Sequence, residues 1–211
     1  MIRSDGSAGK QACPVPVPLA YDNQGPALAQ GAYSSKLEPV TECSLISKVI
    51  VIGGVAGSGK STLGKRLAER LGWRFLEGDD FHPPGNVEKM RRGSPLSDAD
   101  RAPWIGAIAG ALRSSGDASE AVVLACSALK RTHRDLLRAA GGDLFTVLLT
   151  VDRETLRHRL ASRSGHFFGP GLLESQFLAL EPLLPDEAGI TVDGNLPCDA
   201  VIAEILARHH L

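Results

Sequence analysis

Short apolar runs alternate along the chain with stretches in which apolar residues recur every three or four positions. The clearest example is the apolar run at 48–53, which is followed by leucines at helical spacing: Leu63, Leu67 and Leu71. Unbroken apolar runs of this length are typical of strands buried on both faces, and strands that alternate with helices form parallel sheets. The pattern therefore predicts an α/β domain in which helices cover both faces of a parallel sheet.

The same two periodicities locate the individual elements. We predict strands over 48–53, 74–77, 120–126, 144–150 and 189–192. We predict helices over 60–71, 85–92, 99–113, 130–140, 153–163, 171–181 and 197–208. No internal repeat interrupts this order, so the elements predict one domain over 47–211.

The residues before this domain have a different composition. They contain five prolines, three of which alternate with valine between Pro14 and Pro18. Proline cannot continue a helix or a central strand, and this alternation breaks the apolar run that a secretory signal needs. We therefore predict a disordered, proline-containing tail over 1–46.

Charge and composition exclude several classes of function. Basic and acidic residues nearly balance at 23 and 24, so no net field attracts the chain to nucleic acid or to a membrane surface. The longest apolar runs are far shorter than the roughly 20 residues that span a bilayer, and we predict no transmembrane segment. The four cysteines are scattered without a CxxC pair. That spacing indicates reduced thiols in a cytoplasmic protein rather than a zinc site or a disulfide framework.

One motif is complete at every specified position. The sequence at 54–61 is GVAGSGKS, which fits the phosphate-binding pattern GxxxxGK[ST] between a predicted strand and a predicted helix. In this motif backbone N–H groups surround phosphate oxygens, the lysine bridges the β- and γ-phosphates, and the serine hydroxyl ligates Mg²⁺. We therefore predict Lys60 as a catalytic residue and Ser61 as a Mg²⁺ ligand. The predicted nucleotide-binding residues are Gly54, Val55, Ala56, Gly57, Ser58, Gly59, Lys60, Ser61 and Thr62.

This phosphate-binding loop indicates a nucleotide but not a reaction, because GTPases, ATPases and small-molecule kinases share it. The chain has no NKxD motif for recognising a guanine base, and its domain is small for a motor or a helicase. Both points favour a kinase that phosphorylates a small metabolite.

A second group of residues follows the second predicted strand. Carboxylates at the carboxyl end of a strand beside a phosphate-binding loop can accept a proton from a hydroxyl or hold Mg²⁺ through water. Here that stretch is EGDDFHP at 77–83. It is followed by NVEKM at 86–90, GSPLSDADRAPW at 93–104, CSALK at 126–130 with RD at 134–135, and GHFF at 165–168.

In order and spacing, these blocks resemble the gluconokinase family from about residue 48 to the C-terminus. The resemblance implies a phosphotransferase that uses ATP and Mg²⁺ to convert D-gluconate to 6-phospho-D-gluconate, in carbohydrate-acid catabolism that feeds the pentose phosphate route. It also implies a P-loop fold like that of shikimate kinase, with a five-stranded parallel sheet, a helical substrate-binding segment and a lid. The same resemblance implies a homodimer.

The resemblance also suggests roles for single residues. Asp79 takes the substrate-hydroxyl role and could also hold Mg²⁺ through water, whereas Glu77 is left without a definite role. His82 would hydrogen-bond a sugar-acid hydroxyl. Arg101 would clamp the gluconate carboxylate, with an ion pair to a nearby acid as the alternative. Ser127 would offer its hydroxyl to Mg²⁺ or to the substrate.

Basic residues supply the remaining predicted contacts. Four of them crowd the helix predicted over 130–140, and the resemblance selects Arg134 as a contact to substrate or to a second copy. Arg159 and Arg163 lie four apart before a glycine-flanked segment that predicts a lid. Because lid arginines in P-loop kinases spread the charge of the transferred phosphoryl group, we predict both as catalytic. The stretch 191–195 is the predicted adenine loop.

Two alternatives remain open. The same parts suit a kinase for another small hydroxy acid such as shikimate, which substrate profiling would separate. The other alternative is a non-catalytic ATP-sensing module whose tail recruits a partner. A sensor needs no lid chemistry, so the intact set of kinase residues argues against it.

Overall fold

A computed structural model describes residues 48–161 and 170–209. The tail predicted over 1–46 and the predicted catalytic residue Arg163 lie outside the described residues. In the described part of the chain, five strands form one parallel sheet in the order β2-β3-β1-β4-β5. The strands are β1 (Lys48–Gly54), β2 (Arg74–Glu77), β3 (Val122–Ala125), β4 (Asp143–Thr150) and β5 (Gly189–Asp193).

Helices connect these strands where the sequence predicts them, with small differences at their ends. They are α1 (Lys60–Leu71), α2 (Pro84–Arg91), α3 (Asp98–Asp117), α4 (Arg131–Gly141), α5 (Arg153–Ala161), α6 (Pro170–Ala179) and α7 (Cys198–His209). Helix α3 continues past its predicted end because tertiary contacts override weak local propensity. Ser115 is buried there, and its hydroxyl accepts a hydrogen bond from Arg74. A 3₁₀ turn at Gly78–Phe81 was not predicted.

The two faces of β1 belong to two separate cores. One core lies under α3 and α4 and includes Val49, Val51, Trp104, Ile108, Leu112 and Leu137. The other lies under α1 and α7 and includes Ile50, Ile52, Leu63, Leu67, Val201 and Ile205. Alternate residues of a strand point to opposite faces, so a central strand with helices on both sides needs apolar residues at consecutive positions. This explains the unbroken apolar run at 48–53.

Strand order brings the predicted functional segments to one edge of the sheet. Strand β1 pairs with β3 on one side and β4 on the other, and β2 pairs with β3. The phosphate-binding loop leaves the carboxyl end of β1, the acidic segment leaves β2, and Cys126–Lys130 leaves β3. Open parallel sheets bind ligands at this edge, where neighbouring connections leave in different directions.

Arg134 points into the protein rather than outward from α4. Its side chain and that of Glu187 are fully buried, and the carboxylate accepts hydrogen bonds at 2.6 and 2.9 Å from Nε and Nη2. Carbonyl oxygens accept the other hydrogen bonds of the guanidinium: Ala128, Leu129, Glu181 and Pro182. The prediction that Arg134 contacts substrate or a second copy is therefore wrong, because its donors are already used. These bonds also hold the pKa of Glu187 below its usual range.

We expect Arg134→Met to lower the free energy of unfolding by about 3–5 kcal/mol, because Glu187 stays buried without its cation. Adding Glu187→Leu should recover part of this loss, since two apolar side chains carry no desolvation cost.

The control is Arg92→Met, because Arg92 pairs with Glu88 while its own side chain is 73% exposed. It should cost less than about 1 kcal/mol. Urea denaturation gives the free energy of unfolding of the three variants and of the original chain. Equal losses for Arg134→Met and Arg92→Met would contradict the assignment of Arg134 to a buried ion pair.

Candidate active site

Glycines shape the loop between β1 and α1. Gly54, Gly57 and Gly59 all have positive φ, at 130°, 80° and 100°. A Cβ atom on Gly54 would lie only 2.7 Å from the Leu149 carbonyl oxygen, so no larger residue fits there. The Gly54 N–H donates to the carbonyl of Ser127 at 3.1 Å, which ties the loop to the end of β3.

The loop has the features of a phosphate cradle. Lys60 is the first residue of α1, where the positive end of the helix dipole faces the loop, and its Nζ donates to the Val55 carbonyl at 2.9 Å. The hydroxyl of Ser58 is buried and has no hydrogen-bond partner within the described part of the chain. A buried orphan donor of this kind suits a bound phosphate oxygen.

A cavity of about 360 Å³ opens beside the loop. Its lining includes Gly57, Ser58, Gly59, Thr62, Arg159, Leu196 and Val201. The Arg159 guanidinium donates to the carbonyl of Gly194 at 3.2 Å, which fixes it against the stretch predicted as the adenine loop. The structure therefore brings together the loop, one of the two predicted lid arginines and this stretch around one cavity.

Glu77, the last residue of β2, and Asp79, two residues later, both carry carboxylates near the loop, and only Asp79 has a role predicted from the sequence. Glu77 is half-buried, and its carboxylate interacts with the side chain of Ser61. Burial raises the pKa of Glu77 and the charge of Asp79 adds to this shift, while Ser61, the Asp79 backbone and the charge of Lys60 oppose it. Asp79 lies exposed on the 3₁₀ turn. One sequence signal could have identified Glu77: it is an acidic residue at the carboxyl end of the strand that follows a complete phosphate-binding motif.

These oxygen donors fit Mg²⁺, a hard cation that binds proteins through few ligands and takes the rest from phosphate and water. The candidate oxygens belong to Ser61, Glu77 and Asp79. Among the described residues, no group of three His, Cys, Asp or Glu side chains could hold a metal by itself.

The residues predicted to contact the phosphoryl acceptor, here called the acceptor side, include His82. Its ring stacks on Trp104 with centroids 4.3 Å apart, and the Trp104 Nε1–H donates to the Gly78 carbonyl at 2.7 Å. The His82 Nδ1 atom is buried without a partner in the described residues. Burial lowers the pKa of His82, with Asp79 opposing this shift and Arg101 adding to it. A neutral imidazole can both donate to and accept from a hydroxyl.

The Arg101 side chain is largely buried, yet within the described chain its guanidinium has only a long contact with a carboxylate. Its side chain is 14% exposed, and its ion pair with Asp98 spans 3.7 Å, too long for a good hydrogen bond. Asp98 is instead bound closely by Lys130, whose Nζ donates to both carboxylate oxygens at 2.7 and 2.8 Å. His133 is buried beside this group, and burial followed by the charge of Arg101 lowers its pKa. Neither Lys130 nor His133 has a role predicted from the sequence, although Lys130 ends the CSALK block that resembles the family.

The end of β3 completes the site. Ser127 is half-buried there, next to the loop that its carbonyl anchors. Cys126 precedes it in the core, where burial raises the pKa of its thiol to about 12. Such a thiol stays protonated and unreactive at neutral pH.

The comparisons with known proteins agree with this geometry. Residues 49–172 match the family model described as an AAA domain. A curated gluconokinase of Gluconobacter oxydans is 46% identical over 174 residues, covering 82% of this chain and 96% of that protein. The chain belongs to the gluconokinase family.

Solved structures of similar proteins share the fold. A gluconokinase from Sinorhizobium meliloti is 42% identical, with a TM-score of 0.68 over 77% of this chain and 91% of that one. A sugar kinase from Janibacter sp. is 39% identical, with a TM-score of 0.74 over 78% and 95% of the two chains. This member of the gluconokinase family thus has the predicted P-loop kinase fold, a five-stranded parallel sheet between helices. Within its described residues, no helix has the length and apolar character needed to cross a membrane.

We expect Gly54→Ala to abolish measurable ATP binding, because the added methyl meets the Leu149 carbonyl and the loop must shift. Strain of this kind should also lower the free energy of unfolding by about 1–3 kcal/mol. Titration calorimetry and thermal melting measure the two effects.

Gly110→Ala on α3 is the matched control, since its added Cβ meets nothing within 4 Å. It should leave ATP binding unchanged. Normal ATP affinity in Gly54→Ala would show that the loop tolerates a side chain there and would refute this description of the cradle.

Proposed function

We propose that this protein is a gluconokinase, which transfers the γ-phosphoryl group of ATP to the terminal hydroxyl of D-gluconate and releases 6-phospho-D-gluconate and ADP. One observation carries the proposal beyond family membership. A carboxylate, Asp79, and a poorly satisfied guanidinium, Arg101, both interact with His82 on the acceptor side of the phosphate-binding loop. An open-chain hydroxy acid offers a hydroxyl for the first group and a carboxylate for the second.

On the nucleotide side, the loop would bind the ATP phosphates, and Lys60 would bridge the β- and γ-phosphates. Arg159 lines the adjoining cavity and would help to spread the charge of the transferred phosphoryl group. Mg²⁺ would be held by Ser61 near Glu77 and Asp79, and when bound it neutralises negative charge on the phosphate oxygens.

On the acceptor side, Asp79 would accept the proton of the attacking hydroxyl. Its exposure on the 3₁₀ turn leaves it open to a substrate, while the neighbouring His82 is fixed by stacking on Trp104. A fixed imidazole that can donate and accept would orient a second hydroxyl of the sugar acid. The half-buried Ser127 supplies a further hydroxyl at the same edge of the sheet.

The substrate carboxylate would bind between Arg101 and Lys130. Both cations now face one carboxylate, that of Asp98, which Lys130 holds tightly and Arg101 holds at 3.7 Å. A second carboxylate can pair with the Arg101 guanidinium bidentately, which is the strong geometry for this pair. The positive charges of Arg101 and Lys130, here called the basic corner, therefore favour an acidic sugar over a neutral one.

This acceptor site and family membership together favour gluconate over the alternatives. Shikimate also has a carboxylate and hydroxyls, but the relatives that share about 40% identity with this chain are named gluconokinases. A pure ATP sensor would have no use for the acceptor-side residues Asp79, His82 and Arg101. The homodimer stays a prediction from the family resemblance.

We expect Asp79→Asn to lower kcat by about 10²–10⁴-fold, because the variant has no base for the hydroxyl proton. The affinity for ATP measured without Mg²⁺ should change little, because Asp79 is not part of the phosphate-binding loop. Asp80→Asn is the matched control, one exposed carboxylate along the chain, and it should keep near-normal turnover. Steady-state ADP release with D-gluconate measures both variants, and equal turnover for the two would refute the role of Asp79.

We expect Arg101→Met to raise the KM for D-gluconate by about 10- to 100-fold, the effect of losing a charged hydrogen bond. The KM for ATP should stay near its original value. Arg91→Met provides a control in the same region, because the Arg91 side chain is 72% exposed. If Arg101→Met changed the KM for ATP and left that for D-gluconate intact, the carboxylate assignment would be wrong.

A further inference from the structure

Gln176 reaches from α6 to the phosphate-binding loop. Its Oε1 accepts a hydrogen bond of 2.6 Å from the backbone N–H of Ala56, a residue 120 positions earlier in the chain. The carbonyl of the same peptide unit belongs to Val55, and it accepts the 2.9 Å hydrogen bond from Lys60 Nζ. One peptide group is therefore held at one edge by Gln176 and at the other by Lys60.

The two hydrogen bonds depend on each other because a peptide group is planar. In a trans peptide the C=O and N–H groups point in opposite directions and must rotate together. A rotation that frees the Ala56 N–H from Gln176 also turns the Val55 carbonyl away from Lys60. Gln176 thus fixes the direction of an oxygen that holds the lysine ammonium.

Helix α6 is a firm support for this contact. Leu173 is buried in the same apolar cluster as Val55 of the loop. Just beyond the helix, the Glu181 N–H donates to the Leu129 carbonyl at 2.9 Å, which ties α6 to the segment after β3. Gln176 is therefore carried by a helix that is anchored both to the loop and to the acceptor side of the site.

The chemistry of the side chain suits its place. A neutral amide oxygen satisfies the Ala56 N–H without adding a negative charge to a loop that binds phosphates. Glutamate at 176 would accept the same bond but repel the nucleotide, and asparagine would be one methylene too short to keep the 2.6 Å contact.

We propose that Gln176 is a positioning residue for phosphoryl transfer, which acts through the Val55–Ala56 peptide to hold Lys60 in the orientation that binds the ATP phosphates. The inference rests on the proposed function only in taking ATP as the ligand, and it does not depend on the identity of the acceptor. Preorganised support of this kind is what keeps a binding group within a fraction of an ångström of its productive position.

Gln176→Met tests the proposal, because it keeps the length of the side chain and removes the acceptor. We expect ATP affinity, measured by calorimetry without an acceptor, to fall about three- to tenfold, the effect of one lost hydrogen bond. The KM for D-gluconate should not change. In a Lys60→Met background, the same substitution should change ATP affinity by less than about twofold, because the group that it positions is gone.

Leu178→Ala is the control on the same helix, since Leu178 is 83% exposed and is not part of the contact between Gln176 and the loop. It should match the original chain in every assay. Equal losses from Gln176→Met with and without Lys60 would indicate a general effect on α6 and would overturn the proposal. So would unchanged ATP affinity in the single variant.

Hydrogen exchange at the Ala56 amide gives a second test that needs no catalytic assay, and its first measurement uses the original chain alone. In the full-length protein without ATP, the proposal expects this amide to be protected by Gln176. Gln176→Met should speed its exchange at least about tenfold, as the loss of one protecting hydrogen bond implies. An unprotected Ala56 amide in the original chain would refute the proposal. These outcomes stand apart from the identity of the acceptor, because none of the binding or exchange measurements uses one.

Discussion

The buried ion pair between Arg134 and Glu187 joins the segments that surround the site. Its guanidinium donates to carbonyls in the connection after β3 and in the chain that follows α6. Glu187 also accepts a hydrogen bond from the N–H of Leu184, which fixes the turn that precedes it. Because neither side chain touches solvent, both charges depend on each other for the interactions that water would otherwise supply. The pair therefore helps to hold the chain that follows α6, the helix that carries Gln176 to the phosphate-binding loop.

The two halves of the site are built in different ways. The nucleotide half is built on a backbone loop, shaped by glycines with positive φ and fixed by the central strand β1, to which a few side chains such as that of Lys60 are added. The acceptor half is made of side chains whose hydrogen bonds are incomplete, above all Arg101 and His82. Backbone suits phosphates, which do not change with the base of the nucleotide, whereas side chains provide selectivity for one acceptor. Under the proposed function, Arg101 and His82 lie where the substrate would complete their hydrogen bonds.

Sequence patterns predicted the fold and the nucleotide half because both depend on neighbouring residues. The apolar run at 48–53 marks a strand buried on both faces, and the phosphate-binding loop is eight consecutive residues. The two arginines that were assigned to the acceptor side could not be separated in this way. Arg101 and Arg134 both follow helix starts, and only the partner 53 positions later shows that Arg134 belongs to the core. Contacts such as that of Gln176 with Ala56 arise from folding alone and leave no local pattern.

The most direct test of the central claim is ADP release from Mg·ATP by the purified protein with a panel of acceptors. The panel contains D-gluconate, shikimate, glycerate, D-glucose, which lacks the carboxylate, and no acceptor. We expect strong release with D-gluconate alone, because relatives of this chain are named gluconokinases and because this acceptor offers a terminal hydroxyl to Asp79 and a carboxylate to Arg101. Equal release with D-glucose would contradict the role of the basic corner. Measurable ATP binding without release for any acceptor would contradict the proposed reaction and favour a nucleotide sensor.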